Sequence, residues 1–331
     1  MSEPILTTTP AAIARAADRL RDGLLVAFPT ETVYGLGADA GNPEAVRRIF
    51  AAKGRPADHP VIVHLGDAAE LAQWARMVPD GAMKLAAAFW PGPLTLILPR
   101  APHVADIVTG GQDSVGLRVP SHPVARELIA TFGGGIAAPS ANRFGRISPT
   151  TAQHVAEDLG ESVAMILDGG PCPIGIESTI VAFTDDRPVL LRPGGIGVPA
   201  LARALGQPIA EPDATSPRAS GGLAAHYAPR TPANLLAVDM LRAEISQLDD
   251  RDEIVAVLAR TLPRPADFTG VWLRAPTDAA PYAHDLYSNL RTLDAANADV
   301  ILIESVPEGD AWLAVRDRLS RATRGVDDDR D

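Results

Sequence analysis

The sequence predicts a two-domain α/β chain, and three observations carry that reading. Short apolar runs alternate with helical segments up to about residue 207, and the alternation resumes from residue 234. Between them, residues 208–233 show neither helical nor strand periodicity. That stretch, with its EPDATSPRASGGLAAHYAPRTP, is rich in Pro, Gly, Ser and Ala, as a linker should be. At 331 residues the chain is long enough for about two cores, and it contains no internal repeat. The expected division is therefore residues 1–207, a linker over 208–233, and a second domain over 234–331.

The elements follow in order. Thr9-Pro10 supplies an N-cap and a first-turn proline for a helix closing at Gly23, and residues 24–28 read as a strand. Asn42-Pro43 repeats that start signal for a helix through Phe50, with a strand over 61–65. Apolar runs at 94–98, 115–119, 136–138, 164–167, 178–183 and 189–191 continue the large mixed sheet of an α/β or α+β domain, separated by helices such as 123–131 and 150–159. After the linker, strands at 234–238, 253–258, 271–273 and 300–303 alternate with helices, the last over 310–323. This second pattern fits a small Rossmann-like α/β domain.

Composition narrows the setting. Nearly half the residues are hydrophobic, in the globular range. A single cysteine, Cys172, excludes an intramolecular disulfide framework and a multi-cysteine metal site, which points to a reducing, cytoplasmic location. Residues 1–10 lack the pattern of a signal peptide, and no apolar run approaches the roughly 20 residues that span a bilayer. Of the net charge of −11, residues 234–331 carry −8 (nineteen acids, eleven bases) and the rest −3. The second domain is thus poorly suited to gripping nucleic acid by its phosphates.

Several turns concentrate chemistry. Lys53-Gly54-Arg55-Pro56 holds one of only two lysines, against twenty-eight arginines. A compact ammonium beside a planar guanidinium suits a polyanion, a solvated basic turn being the plain alternative. Pro139-Ser140-Ala141-Asn142, with Arg143, Arg146 and Ser148-Pro149, gathers hydroxyls, an amide and cations between a strand end and a helix start, favourable ground for phosphate. Phe28-Pro29-Thr30-Glu31-Thr32-Val33-Tyr34-Gly35 crowds polar groups at a strand mouth, where open α/β sheets place ligands. It fails as a dinucleotide fingerprint, because its glycines are out of register, and no Walker A sequence exists. His59 and His64 flank a strand without the spacing of a metal pair. Arg118, within an apolar run and on the same strand face as Ser114, requires either a ligand or an acid partner. Ser178 and Arg192 add a hydroxyl and a cation on consecutive strands, and no GxSxG elbow supports a serine nucleophile.

Taken in order, PTETVYGLG, KGRP with HPVIVHL, WPGPLTLIL, GLRVP, PSANRFG with ISPT, ESTIV, LRPGG and HYAP resemble the threonylcarbamoyl-AMP synthase family, the YrdC-type domain of tRNA modification, in its two-domain branch. The resemblance implies a twisted mixed sheet with a concave site. It implies that L-threonine, bicarbonate and ATP condense to threonylcarbamoyl-AMP and pyrophosphate, for N6-threonylcarbamoyladenosine in tRNAs reading codons that begin with A. Threonine would be held by Thr32, His64, Arg118, Ala138 and Ser178. The nucleotide would be held by Lys53, Arg55, His59, Ser114, Ser140, Asn142, Ser148, Arg192 and, from the linker, Tyr227, with Lys53, Arg55, Ser140 and Asn142 at the reacting centre. Mg2+ would arrive with ATP rather than in a protein cage, with no organic cofactor. Downstream transferase proteins are the implied partners, with direct tRNA binding weak or absent. The linker departs from the family's pattern, reading Ser220-Gly221-Gly222 where relatives usually carry a proline. Two other readings fit parts of the chain: an RNA-binding module, disfavoured by few aromatics and an acidic tail, and a carbamoyl-transfer domain of the hydrogenase-maturation kind, which normally carries zinc-binding cysteines absent from this sequence.

Overall fold

A computed structural model describes residues 5–184, 186–222, 225–247 and 253–324. Within the predicted linker, Leu223 and Ala224 lie outside the described residues, as do 248–252 and 325–331 of the predicted second domain and residues 1–4 of the N-terminal reading. The chain divides into two compact units, one drawn from residues up to 144 and from 148–222, the other from 145–147 and from 223 onward.

In the first unit the chain runs β1 (Leu6–Thr7), α1 (Pro10–Arg21), β2 (Val26–Phe28), β3 (Gly35–Asp39), α2 (Pro43–Lys53), β4 (Ile62–His64), α3 (Leu71–Trp74), α4 (Asp80–Phe89) and β5 (Leu94–Pro99). It continues through α5 (Asp106–Thr109), β6 (Ser114–Arg118), α6 (Pro123–Phe132), β7 (Ile136–Ala137), α7 (Ala152–Leu159), β8 (Met165–Asp168), β9 (Thr179–Thr184), β10 (Arg187–Arg192) and α8 (Val198–Leu205). The ten strands form one mixed sheet in the order β1-β8-β2-β3-β7-β4-β6-β5-β9-β10.

Local chemistry accounts for the element ends. The Thr9 hydroxyl accepts the Ala12 N–H at the start of α1, and the Asn42 side chain caps α2 through Glu44 and Ala45, each ahead of a first-turn proline. Helix α2 runs to Lys53, beyond the predicted end at Phe50, and stops at Gly54, whose φ of 65° is left-handed. The helix predicted from Thr150 begins instead at Ala152, because the Thr151 hydroxyl accepts the His154 N–H and leaves Ser148 for another task. Strand β3 is absent from the sequence reading. Its Gly37 faces the Phe28 ring, which a Cβ would approach to 2.8 Å, so this strand carries glycine where most strands carry a branched residue.

Helices α1 and α6 cover one part of the sheet through Ile13, Ala16, Leu20, Leu128 and Ile129, packed on Val26, Phe28, Ile136 and Met165. The opposite face buries Val46, Ile49, Leu85, Val155 and Leu201 of the remaining helices on Leu36, Val63, Leu96 and Leu117. Residues Ile62, Ile97, Ile180 and Ala182 form a small separate cluster, covered by Ala219.

The second unit contains β11 (Ala233–Leu236), α9 (Val238–Ser246), β12 (Val255–Ala259), β13 (Val271–Arg274), α10 (Ala279–Asp294), β14 (Val300–Glu304) and α11 (Leu313–Ala322). Its four strands pair in parallel in the order β11-β14-β12-β13. This is the small α/β domain the sequence predicts. Leu241 and Ile245 of α9 pack on Val255, Val257 and Leu302. The alternate strand residues, Ala256, Leu258, Ile301 and Ile303, are equally buried, as a sheet covered on both faces requires.

Two neighbouring glycines give a test of this packing. A Cβ on Gly194 would lie 2.4 Å from the Thr179 nitrogen and 2.7 Å from the Glu177 oxygen, whereas one on Gly195 meets nothing closer than 3.4 Å. We expect Gly194→Ala to lower stability by about 1–3 kcal/mol and Gly195→Ala to change it by less than about 1 kcal/mol, read from urea unfolding midpoints.

Candidate active site

Lys53 joins the two motifs that stand out in the sequence. As the last residue of α2 it is 2% exposed, and its Nζ donates to the backbone oxygens of Ser140 and Asn142, both at 2.6 Å. In return the Phe144 N–H donates to the Lys53 oxygen at 2.9 Å. Two of the ammonium's three donors are therefore spent on the loop after β7. Burial, and then the neighbouring Arg55 charge, push the Lys53 pKa well below its ordinary value, opposed by Asp158. An added anion would relieve that strain between two cations.

Arg55 is 8% exposed and donates to the Pro60 oxygen at 2.8 Å, with its guanidinium 5.8 Å from the centre of the Phe144 ring. The His59 ring meets the same Phe144 edge-on at 5.3 Å. Burial, followed by the Arg55 charge, lowers the His59 pKa, so this histidine is neutral at pH 7. Asn142 is buried, its Nδ2 donating to the Arg143 oxygen. Ser140 bridges Gly35 of β3, which brings the loop against the polar turn after β2.

Arg118 anchors a second cluster on one sheet face. Its guanidinium makes a 2.7 Å ion pair with Glu31 and donates to the Thr32 hydroxyl at 2.9 Å, all three residues being buried. Glu31 also accepts the Ser121 N–H at 3.1 Å. Burial works to raise the Glu31 pKa, but the Arg118 charge and hydrogen bond overcome it and hold the carboxylate below its ordinary range. His64 lies directly opposite Arg118 in the β4–β6 register and therefore on the same face. Burial, then the Arg118 charge, push its pKa down to about 3, so His64 is a neutral hydrogen-bonding group. Arg118 Nε and His64 Nδ1 are both buried and have no hydrogen-bond partner among the described residues. A buried polar group without a protein partner is met by water, an ion or a ligand.

Ser178, just before β9, completes that face. Its hydroxyl pairs with Thr95 at 2.8 Å and accepts from Arg192 at 3.1 Å. Arg192 donates as well to the backbone oxygens of Ser178 and Ser220, and the Ser220 hydroxyl reaches the Pro60 oxygen that Arg55 also binds. The start of the predicted linker thus lies along the first unit, locked to the turn after α2.

The remaining predicted residues fall as follows. The Ala138 N–H is committed to the Ile62 oxygen, so of its backbone groups the carbonyl is left to meet a ligand. Ser114 begins β6 on the Arg118 face, four residues from it. Ser148 is fully buried, and its hydroxyl donates to Glu177 at 2.5 Å, rather than capping a helix. Tyr227 belongs to the second unit, where its ring packs 5.7 Å from Tyr287 and 5.2 Å from the Arg318 guanidinium, at a left-handed φ of 62°. Thr95, Phe144 and Glu177 join the site with no sequence signal of their own, and Glu31 reads in the sequence only as one of the polar groups at the strand mouth. Only Glu31 had a signal, since a buried Arg118 demands an acid and Glu31 stands next to Thr32. No group of three or more His, Cys, Asp or Glu side chains converges among the described residues. No described helix is long and apolar enough to cross a membrane.

Comparison with known proteins extends this picture. A family profile described as telomere recombination (Sua5, YciO and YrdC) matches residues 18–194, and one described as the C-terminal domain of threonylcarbamoyl-AMP synthase matches residues 196–323. The threonylcarbamoyl-AMP synthase of Pyrococcus abyssi is 42% identical over 93% of this chain and 93% of its own length. That of Bacillus subtilis is 42% identical over 97% and 95%. The crystal structure of P. abyssi Sua5 complexed with L-threonine superposes with a TM-score of 0.90 at 39% identity, covering 97% of this chain and 98% of that one.

Two outcomes test the geometry. Glu31→Gln strips a buried guanidinium of its counter-charge and should lower stability by about 3–5 kcal/mol, measured by urea unfolding at pH 7. For His64, a folded pKa of about 3 lies below the unfolded value of 6.5. The unfolded chain therefore binds the extra proton, and stability is lost as pH falls from 6.5 toward 3, by up to about 1.4 kcal/mol per pH unit. We expect the stability difference between wild type and His64→Gln to shift in favour of the variant between pH 7 and pH 4.

Proposed function

The chain belongs to the threonylcarbamoyl-AMP synthase family, and from that premise we propose that it condenses L-threonine, bicarbonate and ATP to threonylcarbamoyl-AMP and pyrophosphate. The observation that carries this reading is the pair of buried groups without partners, Arg118 Nε and His64 Nδ1, on residues of one sheet face, with Arg118 bonded to the Thr32 hydroxyl. A cation on a neutral polar wall suits an amino-acid carboxylate, and a small hydroxyl beside it suits a threonine side chain.

The chemistry then asks little of the protein beyond placement and charge. Threonine's amine adds to bicarbonate with loss of water, giving a carbamate. A carbamate oxygen attacks the α-phosphorus of ATP, the bond to the β-phosphate oxygen breaks, and pyrophosphate leaves with the electron pair. Negative charge spreads over the phosphate oxygens during that step, and Arg55 and Lys53 stand where an anion relieves their mutual repulsion. Ser140 and Asn142 lie on the loop that Lys53 holds, which gives the phosphates a second wall. A base stacked on the Phe144 side of Arg55 would complete the nucleotide's fit. Magnesium would come with ATP. Among the described residues no group of three or more His, Cys, Asp or Glu side chains could hold it, so its ligands would be phosphate oxygens and water.

The test is pyrophosphate release from ATP, with threonine and bicarbonate omitted in turn. We expect release to require both; release that continues without either contradicts the synthase reading. Arg118→Lys keeps the charge and loses the planar fork, and should raise the KM for threonine about 10- to 100-fold while the KM for ATP stays within a few-fold.

A further inference from the structure

The reaction above draws on the first unit, while the second carries its own group of polar side chains at the C-terminal edge of its parallel sheet, the edge where such sheets hold ligands. After β12 the chain turns through Arg260, Thr261 and Leu262. Their three N–H groups converge on Oε2 of Glu304, at the end of β14, at 2.7, 2.8 and 3.0 Å. The Thr261 hydroxyl donates to the other oxygen. Such a concave row of N–H groups binds anions, and here the protein's own carboxylate fills it. Burial acts to raise the Glu304 pKa, but these donors hold it below the ordinary value, so its charge is already spread over four hydrogen bonds.

Beside this filled nest stand groups that are not satisfied. The half-buried Arg260 guanidinium lies 5.6 Å from the centre of the Trp312 ring and pairs with no carboxylate among the described residues. Its buried Nε has no hydrogen-bond partner there. Tyr282, in the first turns of α10 and 1% exposed, meets the same indole edge-on at 5.5 Å, and its hydroxyl is also without a partner. Arg260 and Tyr282 are brought together by the indole that both of them contact. The Asp278 side chain makes no capping bond to α10, and the first turn of that 16-residue helix holds no acid. The Asp278 carboxylate at the N-cap sets its charge against the helix's positive end without spending a hydrogen bond on it.

We propose that the second unit binds a small oxyanion, a carboxylate or phosphate group, between Arg260 and the Tyr282 hydroxyl, against the indole of Trp312. The guanidinium supplies a bidentate fork. Burial and Glu304 raise the Tyr282 pKa, so the phenol keeps its proton at neutral pH and donates. Glu304 keeps its charge and opposes an anion here, so the Arg260 guanidinium has to outweigh it. The site is independent of the first unit's chemistry.

The test is a fluorescence titration of the full chain with sodium phosphate and, separately, sodium acetate, each against sodium chloride at matched ionic strength. We expect a saturable change with at least one anion that disappears in Trp312→Phe, weakens at least tenfold in Arg260→Met, and weakens several-fold in Tyr282→Phe. Response to phosphate alone assigns a phosphate-type ligand, response to acetate alone a carboxylate. The proposal is overturned if neither anion gives a saturable Trp312-dependent change, or if folded Arg260→Met and Tyr282→Phe proteins bind as wild type does. The unsatisfied groups would then be met by water only.

Discussion

A guanidinium at 4% exposure is untenable without a counter-charge, and the pairing of Arg118 with Glu31 sets the terms for the site around it. Glu31 is fixed in the turn after β2, Arg118 at the end of β6, and Thr32 is drawn to the same guanidinium. The pair thereby fixes the polar turn against the centre of a ten-stranded sheet. It also keeps His64 neutral, since the Arg118 charge adds to burial in opposing an imidazolium. A well-packed apolar pair in the same place would be as stable or more so. What the ion pair offers instead is a guanidinium held in place by Glu31 and Thr32 with its Nε unspent.

A second buried cation does the corresponding work on the side proposed for the nucleotide. Lys53 reads from sequence as a direct anion contact, yet two of its donors hold the Ser140 and Asn142 carbonyls. Its first role is to fasten the loop after β7 to the end of α2. Arg55, two residues on, then stands beside Phe144 on that same loop. The two motifs that look like halves of one site in the sequence are joined by the lysine itself. The Arg192–Ser178–Ser220 bonds do the same on the far side, binding the start of the linker to the turn at Pro60.

Much of this was legible in the sequence wherever the signal was local. Asn42-Pro43 announced α2, and the alternating apolar residues of 115–119 announced β6 and the anomaly of Arg118 within it. Signals between distant residues were not legible. Glu31 and Arg118 are 87 positions apart, and although a buried arginine demands an acid, its own segment does not say which one. Ser148-Pro149 has the form of a helix cap, but Glu177, 29 residues later, takes the serine and Thr151 caps the helix. Strand β3 was hidden because the Phe28 ring dictates glycine at Gly37, erasing the branched residues by which strands are read. Tyr227 was visible as an unusual aromatic in a linker, while its packing on Tyr287 and Arg318 depended on residues 60 and 91 positions away.

The central claim is that the unspent Arg118 Nε and the neutral His64 receive threonine's carboxylate. Nitrogen-15 NMR of the arginine Nε–H groups, with the Arg118 signal assigned by its loss in Arg118→Lys, reads that contact directly. Addition of L-threonine should shift the Arg118 Nε–H resonance downfield to saturation while the remaining arginines stay in place. An Arg118 signal unmoved at a threonine concentration that saturates the enzyme would contradict the account.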